Sequence, residues 1–367
     1  MGRSESTNIE LSSGDTLYVE GDESDSIYVL GQGSLEMMRD AETFGQVDRR
    51  GDPLGFAESA LGIPRQTTLR AADRSRLKKY DLVGDDIYDW LEGHPLTGFR
   101  VLRNNARLLD FLNRDNKESF DRFREARNTF EFFLSPFMDL LSSLPSDNSP
   151  DGSERIQKVR KLLENSFVGG FTRNYRSIIN TTGRSVKQAP SDLSVPEEIQ
   201  ENFSSSSIIC EEGTEEDCFY LLLEGTLSVH KEGQRVATID EPGSIFGEMS
   251  ALLSGQRTAT IRADSESRVA AFPREKLREI FEESPGLGRT ILKTFLKRLQ
   301  RSVTLHDNLS EFLDQLRQIR NAGELPGEER QRLLRAVKAI DESKTSDGLE
   351  EPVRRLKEFL REGFGTS

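Results

Sequence analysis

Cysteine is scarce: the 367-residue chain has two, Cys210 and Cys218, too few for a disulfide framework and in keeping with a reducing compartment. Histidine is nearly as rare. His94, His230 and His306 stand far apart without ligand spacing, so no metal site is expected. Long apolar runs are missing too. The longest, such as Phe219 to Leu223, are a handful of residues where a membrane helix needs roughly 20, which argues against a membrane span and hence against an ion-channel subunit. Basic segments are also lacking. Lys and Arg total 50 against 63 Asp and Glu, a net charge of −13 spread along the chain, and so acidic a surface repels nucleic-acid phosphates. Without a kinase-type glycine loop, a nucleophile elbow or a catalytic carboxylate pair, the chain is not expected to be an enzyme, and no catalytic residue is assigned.

Apolar residues make up 35 % and charged residues 31 %, as expected for a soluble, cytoplasmic protein of two or three domains with many exposed helices. The chain also repeats itself. At an offset of 192 residues EGDESDSIYVLGQGSL (Glu20 to Leu35) falls on EGTEEDCFYLLLEGTL (Glu212 to Leu227), pairing Gly21 with Gly213, Tyr28 with Tyr220 and Gly33 with Gly225. The same offset, without a gap, sets LGFAESALGIPRQTTLRA (Leu54 to Ala71) on FGEMSALLSGQRTATIRA (Phe246 to Ala263), pairing Gly55 with Gly247, Arg65 with Arg257 and Ala71 with Ala263. Agreement over some 75 residues means a duplicated domain.

Each copy reads as short strands followed by helix. Period-2 alternation marks Ser26 to Met37 and Cys218 to His230 as half-buried strands, and closely spaced strands with glycine turns favour a barrel or roll. Ser284-Pro285 offers an N-cap and a first-turn proline, after which Leu292, Phe295, Leu299 and Val303 recur at helical spacing. The expected class is α+β: two jelly-roll-like β-rolls at 7–103 and 207–305, a helical insert at 104–206 and a helical tail at 306–367. Loose stretches are expected at 142–153, 181–196, 323–327 and 343–348.

FGEMSALLSGQRTATIRA resembles the phosphate-binding cassette of cyclic nucleotide-binding domains: Phe-Gly-Glu, a small residue two positions after the Glu, then Arg, Thr or Ala, Ala and Thr. With both rolls and their trailing helices the resemblance covers roughly 200 residues. It implies that Gly247, Glu248, Met249, Ser250, Arg257, Thr258 and Ala259 bind a cyclic nucleotide, the last two and Met249 and Ser250 largely through backbone. The chemistry suits the ligand. A cyclic phosphate needs a fixed cation with a planar fork of donors, which Arg257 supplies. Glu248 can accept the proton of the ribose 2′-hydroxyl, Gly247 lets the backbone approach closely, and the N–H groups opening the helix at Glu248 favour an anion. Ser250 departs from the family's usual alanine but is small. Thr258 leaves cAMP and cGMP both open, with cAMP preferred on prevalence.

In the first copy Gly55, Arg65 and Gln66 mark a degenerate site. Phe56 stands where the glutamate belongs, a phenyl ring cannot accept a hydroxyl, and Glu58 could serve instead only if the local helix re-registered. Arg289, Lys293, Lys297, Arg298 and Arg301 make the helix after Pro285 locally basic, read as a solvated face or a docking face for an acidic partner. Residues 301–367 hold 12 Lys and Arg against 13 Asp and Glu, so no basic DNA-reading helix follows the second roll. The expected function is a cyclic nucleotide receptor without a further cofactor, signalling to an effector protein; the alternative is a β-roll scaffold that uses neither pocket.

Overall fold

A computed structural model describes residues 6–84, 86–144, 154–183, 195–253, 255–322, 327–341 and 349–362. The loose stretches expected at 142–153, 181–196, 323–327 and 343–348 lie largely outside them. Eight strands build the first roll: β1 (Ser6–Leu11), β2 (Thr16–Tyr18), β3 (Ile27–Gln32), β4 (Leu35–Arg39), β5 (Glu42–Val47), β6 (Pro53–Leu54), β7 (Thr68–Ala71) and β8 (Ser75–Tyr80). The short helix α1 (Phe56–Leu61) interrupts them, and α2 (Asp86–Glu92) and α3 (Pro95–Ser143) follow. Helices α4 (Glu154–Glu164) and α5 (Phe167–Gly183) lead to the second roll. Its elements are β9 (Gln200–Phe203), β10 (Ile208–Cys210), β11 (Cys218–Glu224), β12 (Leu227–Lys231), β13 (Gln234–Ile239), β14 (Ile245–Phe246), α6 (Glu248–Leu253), β15 (Thr260–Ala263) and β16 (Ser267–Pro273). Helices α7 (Leu277–Glu283), α8 (Pro285–Ala322), α9 (Gly327–Asp341) and α10 (Glu350–Glu362) close the chain.

Both rolls are two four-stranded antiparallel sheets of one topology. The first has orders β1-β8-β3-β6 and β2-β7-β4-β5; the second has β9-β16-β11-β14 and β10-β15-β12-β13. Register agrees to the residue, with Tyr28 opposite Leu54 and Tyr220 opposite Phe246. Gly33 and Gly225 both turn the chain at positive φ, and a Cβ on either would collide with the hydroxyl of Ser75 or Ser267. Glycine is therefore required twice at one point of the fold.

The chain divides into two compact units, one of 1–113 with 185–303 and one of 114–184 with 304–367. This differs from the expected division at 103, 206 and 305. Two of the three unit limits fall inside α3 and α8, at points where no glycine or proline punctuates the sequence, and the third follows the end of α5. The second roll also begins earlier than 207, at β9, whose segment QENF lacks apolar alternation because it pairs as an edge strand on β16 through its backbone. In the first unit, Phe56, Trp90 and Leu109 share an apolar core with Phe219, Phe272, Leu292, Phe295, Leu299 and Val303. The periodic residues of α8 are thus packing residues. In the second unit the core gathers Phe123, Phe171, Phe312, Leu333 and Leu356.

Candidate functional site

The turn entering α6 brings the cassette together. Gly247 has φ 72°, and a Cβ there would strike the Arg257 guanidinium, so this glycine is what lets the arginine lie against the backbone. Arg257 is 3 % exposed and uses all five of its N–H donors. Nη1 donates to the Gly247 carbonyl (2.6 Å) and to Ser250 Oγ (2.7 Å). Nη2 donates to the Cys218 carbonyl (2.6 Å) and to Glu216 Oε2 (2.8 Å), and Nε reaches the same Glu216 oxygen at 3.3 Å. The Tyr220 ring lies 5.5 Å from the guanidinium carbon. Glu216 is half-buried in the loop before β11, steadied by the Thr214 hydroxyl at 3.2 Å. Burial and this carboxylate together push the Tyr220 phenol well above its ordinary range.

Glu248 does not pair with Arg257. Its Oε2 accepts from Arg298 Nη1 on α8 at 2.6 Å, and the same nitrogen donates to the Ile245 carbonyl at 3.0 Å. Its Oε1 is buried and has no protein hydrogen-bond partner. A buried carboxylate oxygen without a donor costs roughly 1–3 kcal/mol, so this atom suits a ligand hydroxyl. Ser250 is buried, Met249 half-buried, Thr258 exposed and Ala259 half-buried. The structure thus gathers Gly247, Glu248, Ser250 and Arg257 around the α6 turn, while the Thr258 side chain faces out. Sequence reasoning missed Glu216 and Arg298. The basic stripe of α8 is also not simply solvated: Arg298 holds Glu248, and Arg289 pairs with Asp89 (3.2 Å) and Glu92 (3.5 Å) of α2.

The first roll repeats the cradle with different contents. Gly55, at φ 68°, again makes room for a buried arginine. Arg65 donates to the carbonyls of Gly55 (2.9 Å) and Ser26 (2.6 Å) and to the hydroxyls of Ser59 (3.3 Å) and Ser26 (3.5 Å), and Tyr18 lies 4.5 Å from its guanidinium carbon. Phe56 is buried, edge-on to Tyr88. α1 keeps the register of α6, so Glu58 stands where Ser250 stands rather than where Glu248 does. It is buried, and its Oε1 accepts the Gln66 backbone N–H at 3.3 Å. The Gln66 side chain turns outward to the Pro64 carbonyl and to Arg39.

A model of the cyclic nucleotide-binding domain family matches residues 200–284. The second roll belongs to that family. The chain is also similar to the potassium/sodium hyperpolarization-activated cyclic nucleotide-gated channel 4 of Oryctolagus cuniculus, 33 % identical over 111 residues, which are 29 % of this chain and 9 % of the channel. The chain therefore spans under a tenth of that relative. Among solved structures, cAMP-bound PfPKA-R aligns over 80 % of this chain and 81 % of its own at 17 % identity and a TM-score of 0.27. The regulatory subunit of a cAMP-independent protein kinase A from Trypanosoma brucei aligns over 81 % and 78 % at 14 % identity and a TM-score of 0.24. No helix among the described residues is long and apolar enough to cross a membrane, and those residues hold no cluster of metal-ligating side chains.

Proposed function

We propose that the chain is a cyclic nucleotide receptor of the cytoplasm whose second roll takes cAMP or cGMP and relays occupancy through α8 to an effector protein, without catalysis. The orphaned Glu248 Oε1 carries this reading. It is a buried acceptor next in sequence to Gly247, whose carbonyl holds the buried Arg257, a pair that matches a sugar hydroxyl beside an anionic ring phosphate. Glu248 would take the 2′-hydroxyl, Arg257 the phosphate, and the N–H groups opening α6 would add donors.

One observation favours the scaffold alternative: every donor of Arg257 already has a protein acceptor. A phosphate must therefore exchange with one of them, and Glu216, the half-buried acid on a loop, is the partner best able to leave. Titration calorimetry of the full chain with cAMP and with cGMP separates the readings. The receptor reading expects saturable heat from at least one nucleotide, weakened by about 2–5 kcal/mol in Arg257→Ala. No heat and no thermal stabilisation with either nucleotide would leave the scaffold.

A further inference from the structure

We propose that the first roll is liganded by its own chain, with the Glu58 carboxylate as the resident anion of a phosphate cradle. The inference rests on reading the second cradle as a phosphate site. Three observations lead to it. The first is register. Because α1 and α6 begin at equivalent residues, Glu58 and Ser250 occupy one position. In the second roll that side chain is a short hydroxyl bonded to Arg257; in the first it is an acid that reaches across to the N–H of Gln66, the residue following the arginine.

The second observation is charge. Arg257 has a carboxylate directly on its guanidinium, whereas Arg65 has none among the described residues and bonds only to carbonyls and hydroxyls. A guanidinium so deeply buried needs a negative charge nearby. Glu58 is the buried acid of this cradle. Tyr18 lies against the arginine and feels both charges, its phenol raised by burial and by Glu58 and lowered by Arg65. The third observation is that Phe56 fills the place of the sugar acceptor and is packed against Tyr88. On this proposal the Glu58 carboxylate, bonded to the Gln66 N–H, stands in for phosphate beside Arg65, Phe56 occupies the position of the sugar acceptor, and soluble nucleotide is excluded from the first roll.

The decisive comparison uses the full chain in an Arg257→Ala background, which silences the second cradle, with inorganic phosphate as the probe and chloride of equal ionic strength as control. Glu58→Ser copies the residue of the second roll. Phosphate is expected to raise its Tm by about 2–4 °C while leaving the Arg257→Ala parent unmoved. Glu58→Gln, of unchanged volume, should shift in the same direction by less, and it covers the case in which the serine variant does not fold. Equal phosphate responses in parent and variants would overturn the proposal. This arm does not need the second roll to bind a nucleotide. A second arm counts cAMP sites by calorimetry: one in the wild type and two in Phe56→Glu/Glu58→Ser. Two sites in the wild type would overturn the proposal while leaving the receptor reading intact; no site for either cAMP or cGMP in the wild type would remove the receptor reading, with the phosphate arm then deciding on Glu58.

Discussion

Glu216→Gln is the most direct probe of the second cradle. The substitution removes a negative charge without changing size, at a side chain whose Oε2 accepts two donors of Arg257, at 2.8 and 3.3 Å. A hydrogen bond to a charged partner contributes roughly 1.5–3 kcal/mol. Glu216 is 32 % exposed, and solvent screening lowers its share to about 1–2 kcal/mol. An incoming phosphate must overcome this pairing, so neutralising it is expected to tighten cyclic nucleotide binding by that amount, about 5- to 30-fold. Without ligand the same variant should lose stability, because it leaves the charge of Arg257 uncompensated. Equilibrium titration of both proteins at one salt concentration reads the first effect and urea unfolding the second. A variant that folds normally and binds with unchanged or weaker affinity would refute the exchange, and with it the idea that Glu216 and phosphate share the arginine.

Two further outcomes test how the rolls are held. Arg103 on α3 grips the buried Asp52 with two hydrogen bonds of 2.8 and 2.9 Å, and burial lifts the Asp52 carboxyl above its ordinary range; Arg103→Met strands that carboxylate and should cost about 3–5 kcal/mol in urea unfolding. Gly225→Ala sets a side chain at φ 102° against the Ser267 hydroxyl and the Glu266 carbonyl, and should cost more than about 1 kcal/mol in the same assay, whereas Gly213→Ala, with open space around its Cβ position, should cost less.

Much of the architecture was legible because duplication writes it twice. The offset of 192 that aligned Gly33 with Gly225 and Arg65 with Arg257 reappears as two sheets of identical strand order, and Ser284-Pro285 marked the start of α8. Local signals sufficed there, since turns, strand alternation and helix starts depend on neighbours in sequence. The partners of the cradle were not legible in the same way. Glu216 is 41 residues from Arg257 and Arg298 is 50 from Glu248, and nothing in either segment alone says which acid meets which base. Glu58 illustrates the limit from the other side. From the sequence it could replace the sugar acceptor only if the local helix re-registered; α1 keeps its register, and the carboxylate goes to the Gln66 N–H.

The stretch of α8 from Arg289 to Arg298 has a mechanical consequence. The nine residue steps between them rise about 13.5 Å along the helix, and both ends are bonded. Arg289 is bonded to α2 of the first roll and lies over Tyr88 together with Lys293, while Arg298 is bonded to the cassette glutamate of the second. A stiff rod held at two points couples them, so if the proposed receptor reading holds, a ligand that displaces Glu248 is expected to shift Arg289 against Tyr88.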